Sequence, residues 1–228
     1  MFNLPKVRVD LMCSSVADLD PFYDKVTRDF CREARARHKK LFFVGRLTYG
    51  VALCPLSMHN AAYLERIEAS GRRNVKKAKR LGYQFQKIEY NGYLADIREI
   101  RQSTDVRQGK VDADFLAGEV VPCRNPEPRT STHDYPYFGV LKDGRLYSYA
   151  GVLVAGELAI IEHIYGHAER HADGVVPILL VGIAEHLAAH YPAVKYYGYG
   201  SYFGASETMR RFKRKFLFMP YRVKWVLG

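Results

Sequence analysis

Two stretches of the chain concentrate positive charge at helical spacing. Between Gly71 and Arg80, six of ten residues are basic (Arg72, Arg73, Lys76, Lys77, Lys79 and Arg80) and none is acidic. From Arg210 to Lys215, five of six are basic (Arg210, Arg211, Lys213, Arg214 and Lys215), and only Phe212 is apolar. Cations spread around a helix can reach successive phosphates of a polyanion, which gives nucleic-acid affinity without reading sequence. The alternative is two solvated helix faces. Val75, Ala78 and Leu81 would then anchor the first, and Phe212 and Phe216, four residues apart, the second.

Other residue types suggest chemistry nearby. Glu162 and His163 lie inside the apolar run Leu158 to Tyr165, where strand alternation sets one on each side of a sheet. Either could accept a proton from an amine nucleophile, or be one wall of a pocket. In Asp105-Val106-Arg107-Gln108-Gly109, Arg107 could hold a carboxylate bidentately and Gln108 could read an amide; the alternative is a polar turn with Gly109 at positive φ. Tyr196 to Gly204 sets small residues beside aromatics where a strand gives way to a helix. Tyr199 and Tyr202 could stack on a terminal adenine there, or the stretch is a structural turn.

Several chemistries are excluded or disfavoured. Cys13, Cys31, Cys54 and Cys123 are far apart and form no CxxC pair, so neither a disulfide framework nor structural zinc is expected. His186 and His190 have the i, i+4 spacing of a zinc helix, but Leu187 stands where a metalloprotease needs Glu. No metal site is predicted. His167 to Pro177 carries one glycine, two acids and a proline that removes an N–H, which makes a poor cradle for the pyrophosphate of an acyl-CoA.

These groups need a scaffold. The chain has 228 residues, of which 48% are hydrophobic and 26% charged, enough to bury a core without staples. Lys plus Arg is 35 against 24 Asp plus Glu, a formal charge of +11, which suits a polyanionic partner. No apolar run reaches the length of a membrane span, and the first residues lack a signal peptide's apolar stretch. A cytoplasmic protein is expected.

Val7 to Met12 reads as a strand, Ala17 to His38 as a helix capped by Asp18, and Leu41 to Leu53 as a strand. Ala61 to Leu81 reads as one helix, or two broken near Ser70 and Gly71. Tyr83 to Tyr90 is a strand candidate, followed by a helix on Leu94, Ile97 and Ile100 and another over Ala113 to Val120. Tyr137 to Leu141, Leu146 to Val154 and Leu158 to Tyr165 form an antiparallel meander. Asp173 can cap a helix through His190. Val194 to Tyr199 is a strand, Ala205 to Lys215 a basic helix, and Phe216 to Val226 closes the chain as strand or hairpin. From Tyr83 this is the element order of the GNAT acyltransferase fold. The predicted architecture is therefore α/β (α+β): a central, mostly antiparallel mixed sheet flanked by helices. An N-terminal α/β extension, residues 1–82, precedes a transferase domain, 83–228.

The spacing of the first basic run adds a resemblance. Asn74, an aliphatic residue, two basic residues, Ala78, Lys79 and Gly82 ahead of a strand resemble the segment leading into the second half of Fem-family proteins. Those are aminoacyl-tRNA-dependent peptidyl transferases built from tandem GNAT-like halves. Met209 to Phe216 is similar to their Phe-Lys pair on the last helix before the closing strands. The chain lacks a full first half and a coiled-coil insertion. The resemblance implies that Phe212 and Lys213 lie at the aminoacyl ester, Lys213 facing the developing oxyanion. It also implies that Arg107 and Gln108 border the acceptor pocket, and that both basic runs hold the tRNA. The expected reaction moves an amino acid from aminoacyl-tRNA, as co-substrate and with no other cofactor, to the free amine of a peptide or small molecule. That acceptor could be carrier-bound, as in peptide or nucleoside antibiotic assembly. An N-acyltransferase using acyl-CoA or acyl carrier protein, and a non-catalytic tRNA-binding module, are the competing readings.

Overall fold

The computed structural model describes residues 3–37, 45–56, 63–105 and 118–228. Arg107 and Gln108, and most of the helix expected over 113–120, lie outside them.

Among the described residues, nine strands form one sheet. They are β1 (Lys6–Asp10), β2 (Tyr49–Pro55), β3 (Gln84–Ile88), β4 (His133–Asp134), β5 (Tyr137–Lys142), β6 (Arg145–Ala155), β7 (Leu158–Gly166), β8 (Tyr196–Ser201) and β9 (Met219–Val226). The order is β1-β9-β2-β8-β7-β6-β5-β3, with β4 on β6. Only β1–β9 and β7–β8 pair in parallel. The meander from β5 to β7 matches the two predicted turns, with Asp143 and Gly144 both at positive φ in the first. The last strand is not a hairpin arm. It runs between β1 and β2, so the first 82 residues supply two strands to the same sheet as the rest.

Helices cover both faces. On one side, α1 (Pro21–Arg35) packs Cys31 and Phe30 against Trp225 and its neighbours, and α4 (Leu94–Gln102) buries Ile97 and Ile100 against Tyr149. On the other lie α2 (Tyr63–Arg66), α3 (Ala69–Arg80), α5 (Val175–His190) and α6 (Glu207–Lys215), sharing the largest core with Val152, Ala159, Ile161 and Tyr197.

Several boundaries differ from expectation. α1 begins at Pro21, where a ring-locked φ suits the first turn, so Asp20 rather than Asp18 precedes it. The break before α3 falls at Ile67 and Glu68, two residues ahead of Ser70. Asp173 does not cap α5. Gly174 does, at φ 88, because its backbone lies against Asn74 of α3, where a Cβ would clash. The Asp173 carboxylate instead accepts from Tyr83 Oη at 2.9 Å.

A candidate active site at a fork in the sheet

The parallel pairing of β7 and β8 is short. Leu158, Ala159 and Ile160 face Tyr196, Tyr197 and Gly198, and there the register ends. β7 continues to Gly166 and β8 to Ser201, so the two strands part into a fork.

The β8 lip is held by Lys213. Beyond Gly198 the strand bulges against β2, with Gly200 at φ +59. The Lys213 ammonium donates to the Tyr199 carbonyl at 2.6 Å and the Ser201 carbonyl at 2.7 Å. It also stands 4.7 Å above the Tyr199 ring. Lys213 is 4% exposed, and burial lowers its pKa to about 8. Helix α6 turns Lys213 inward while Arg211 and Arg214 are exposed. Ser206 caps the helix by accepting from Met209 N.

The β7 lip carries Glu162 and His163. Gly151 pairs with His163 and Val152 with Ile161, so Glu162 is the extra residue of a bulge. The bulge breaks the alternation expected of this strand. Glu162 accepts from Tyr135 Oη at 2.6 Å, and His163 lies 5.6 Å from the ring of Tyr137, itself 5.7 Å from that of Tyr135. Both residues therefore turn toward the tyrosine side. Glu162 is exposed. His163 is enclosed by Tyr137, Tyr149 and Tyr165, and burial, with the nearby charge of Arg101, lowers its pKa to about 4. A Cβ at Gly151 would overlap this imidazole.

Lys213 and the Glu162–His163 pair thus flank the fork from opposite faces of the sheet, and no contact joins them directly. Phe212 packs beside Phe216 at 4.9 Å, at the edge of the large core. Tyr199 and Tyr202 are each more than nine-tenths buried, packed edge-on against Phe218 and Phe203, so neither ring offers a face to a base.

The two basic helices meet end to end. The N–H of Glu68, which precedes α3, donates to the carbonyl of Lys215, the last residue of α6, at 3.0 Å. Tyr63 Oη donates to the next carbonyl, Phe216, at 2.6 Å. Arg73, Lys76, Lys79, Arg80, Arg211 and Arg214 are exposed, and Arg210 and Lys215 half-buried. Two of the predicted phosphate contacts serve the fold instead. Arg72 donates to the carbonyls of Glu65 and Ile67, and Lys77 donates to Ala172 at 2.7 Å, tying α3 to the 3-10 turn Ala168–Asp173 ahead of α5.

Sequence reasoning missed both bulges and the fork, which depend on pairing between distant segments. The glycines at 151 and 200 were the available signal.

No protein-family model matches the sequence, and no curated protein matches it. Among solved structures, FemX aligns with a TM-score of 0.55 at 10% identity, over 75% of this chain and 59% of that one. A tandem GNAT protein from the clavulanic acid biosynthesis pathway gives 0.48 at 16% identity, over 76% and 50%. L-PGS from Bacillus licheniformis gives 0.47 at 12%, over 75% and 56%. The chain therefore spans 50–59% of the length of these neighbours. The chain has the GNAT-like fold, a central mixed sheet flanked by helices. Among the described residues, no helix is long and apolar enough to cross a membrane.

Proposed function

We propose that this protein is a Fem-like aminoacyltransferase that moves an amino acid from aminoacyl-tRNA to the free amine of a peptide or small molecule. The observation that carries the reading is the buried Lys213 at the fork, on a helix that joins a second basic helix end to end.

The ester of aminoacyl-tRNA is already activated, so the reaction needs no nucleophilic side chain. The acceptor nitrogen attacks the ester carbonyl, the new C–N bond forms, the C–O bond to the ribose breaks, and the proton lost by the nitrogen passes through the general base to the ribose oxygen, so the tRNA leaves as its hydroxyl. Binding both partners in one fork supplies orientation, worth several kcal/mol. Lys213 spends two N–H donors on Tyr199 and Ser201 and keeps a third for the developing oxyanion, a contribution of about 3 kcal/mol. Glu162 is the better-placed proton acceptor of its pair, because it is exposed while His163 is half-buried among rings, which lowers its basicity. The tRNA lies on the exposed cations of α3 and α6.

The approach to the start of α5 supports tRNA over acyl-CoA as donor. Asn74 backbone presses on Gly174, and Pro177 lacks an N–H, so the start of α5 offers a crowded approach and one donor fewer to a pyrophosphate.

The test is transfer of radiolabelled amino acids from total charged tRNA to a panel of amines. RNase should abolish it. RNase-resistant transfer from acetyl-CoA or an acyl carrier protein would replace the reading with the acyltransferase alternative. Binding of tRNA without any turnover would leave a binding module.

A further inference from the structure

The outer end of the sheet carries charge that neither basic helix accounts for. In β1 and β9 the side chains alternate. Val9, Val223 and Trp225 are buried against α1, while Lys6, Arg8, Arg222 and Lys224 are exposed on the opposite face. The register places like charges side by side: Lys6 opposite Arg222, and Arg8 opposite Lys224. Directly opposed like charges destabilise a sheet. One acid stands among them, Asp10, 3.7 Å from Arg8. Lys6, Arg222 and Lys224 also border a groove of about 530 Å³ that reaches round to the α1 side, where Arg35, Val7, Val223 and Trp225 line it.

Lysine on an edge strand discourages sheet-to-sheet aggregation, which would explain Lys6. It does not explain Arg222 and Lys224, because β9 is an interior strand with neighbours on both sides. The location suggests a use. Tyr49 of β2 faces Arg222, and Gly50 accepts from Tyr202 N at 2.7 Å, next to Ser201 on the fork's lip. β9 is two strands from β8, roughly 10 Å at the usual strand spacing. Its cations lie on the same side of the sheet as Lys213.

Resting on the reading above, we propose that this face of β1 and β9 binds the phosphates of a single-stranded RNA 3′ end and leads it to the fork. An anionic membrane surface is the competing occupant. It fits less well, because peripheral membrane binding adds buried apolar side chains to charge. The large exposed apolar residues among those described are Leu19, Val121 and Met219, and Met219 shares the alternation of Val223 and Trp225, not of Arg222 and Lys224.

The experiment measures binding of a fluorescent 12-nucleotide single-stranded RNA ending in CCA to the full chain and to a Lys6→Ala/Lys224→Ala variant, across salt concentrations. Phosphatidylglycerol vesicles serve as competitor. Losing two phosphate contacts on a single strand should weaken binding about tenfold near 0.1 M salt and reduce the slope of log K on log salt by about 1.4. Melting temperature should hold or rise, since the substitutions relieve repulsion. Unchanged RNA affinity and slope overturn the proposal, as do vesicles that displace the RNA. Transfer measured in parallel separates this inference from the reading it rests on. Transfer that the variant performs at wild-type KM for charged tRNA rejects the surface and keeps the transferase. RNA binding that depends on Lys6 and Lys224, without tRNA-dependent transfer, keeps the surface and rejects the transferase.

Discussion

The Lys213 ammonium donates to the Tyr199 carbonyl at 2.6 Å and stands over the same residue's ring. One side chain thus satisfies two carbonyls of β8 where the strands part and sets a buried cation beside them. Lys213→Met separates these roles. Two carbonyls lose their donor, at about 1–3 kcal/mol each where they stay dry, so the melting temperature should fall by several degrees. Transfer at a temperature where the variant is folded should drop about a hundredfold or more. A folded variant with full turnover would reduce Lys213 to a strut.

The same lysine sets a pH limit. Its pKa of about 8 lies below the usual lysine value because burial disfavours the charged form. Transfer should decline above pH 8 as the cation is lost, and a Lys213→Met variant should lack this limb. Stability responds with the opposite sign. Between pH 8 and about 10.5 the unfolded chain holds a proton that the native chain has released, so this residue's contribution to stability rises with pH. Urea midpoints of wild type relative to Lys213→Met, at pH 7.5 and 9.5, report it as a gain for the wild type at the higher pH.

His163 and His186 act at the acid end. Each has a pKa lowered to about 4, chiefly by burial; the Arg101 charge adds at His163, and His190, stacked 4.0 Å away, adds at His186. Between pH 6.5 and 4 the unfolded chain binds protons that the native chain refuses, so stability falls as pH drops through that window. Each histidine contributes up to about 1.4 kcal/mol per pH unit. Replacing both by Gln should flatten the loss of urea midpoint between pH 7 and 5. An unchanged slope would place the acid sensitivity elsewhere.

Much of the fold is written locally. The meander follows from Lys142-Asp143-Gly144 and Ala155-Gly156 between apolar runs, and α5 from the helical spacing of Val176, Leu179, Leu180, Ile183 and Leu187. The basic runs stand out by charge alone. What stayed hidden depends on partners far along the chain. β9 reads as either a strand or a hairpin until β1 and β2 are seen on either side of it. Asp173 reads as a cap until Tyr83 claims its carboxylate. Glu162 and His163 read as alternating until the mismatch with Gly151 and Val152 inserts a bulge. Lys213 was legible as a residue of interest, but its carbonyl partners were not, because where β8 parts from β7 is set by pairing between distant segments.

The bulge makes a prediction of its own. His163 occupies the space where a side chain at 151 would begin, so Gly151→Ala must expel the imidazole or shift β6. Overpacking of this kind costs about 1–3 kcal/mol. His163 would become more exposed, and its pKa should climb from about 4 toward the ordinary histidine value, visible in imidazole proton chemical shifts on titration. A pKa that stays low would mean that Tyr137, Tyr149 and Tyr165 hold the ring in place by themselves.

Lys76 and Lys77 are sequence neighbours with opposite fates. Lys76 is exposed on α3 beside Arg73, whereas Lys77 bonds the Ala172 carbonyl and stands 3.9 Å from Asp173. If α3 binds tRNA through its outward cations, Arg73→Ala/Lys76→Ala should reduce the slope of log affinity on log salt by about 1.8 for a duplex acceptor stem and leave the melting temperature unchanged. Lys77→Ala should do the reverse. The turn before α5 loses its tie, stability falls by about 0.5–1.5 kcal/mol, and the salt slope barely moves. Equal slopes for Arg73→Ala/Lys76→Ala and wild type would show that this face of α3 is solvated surface and that the RNA is gripped elsewhere.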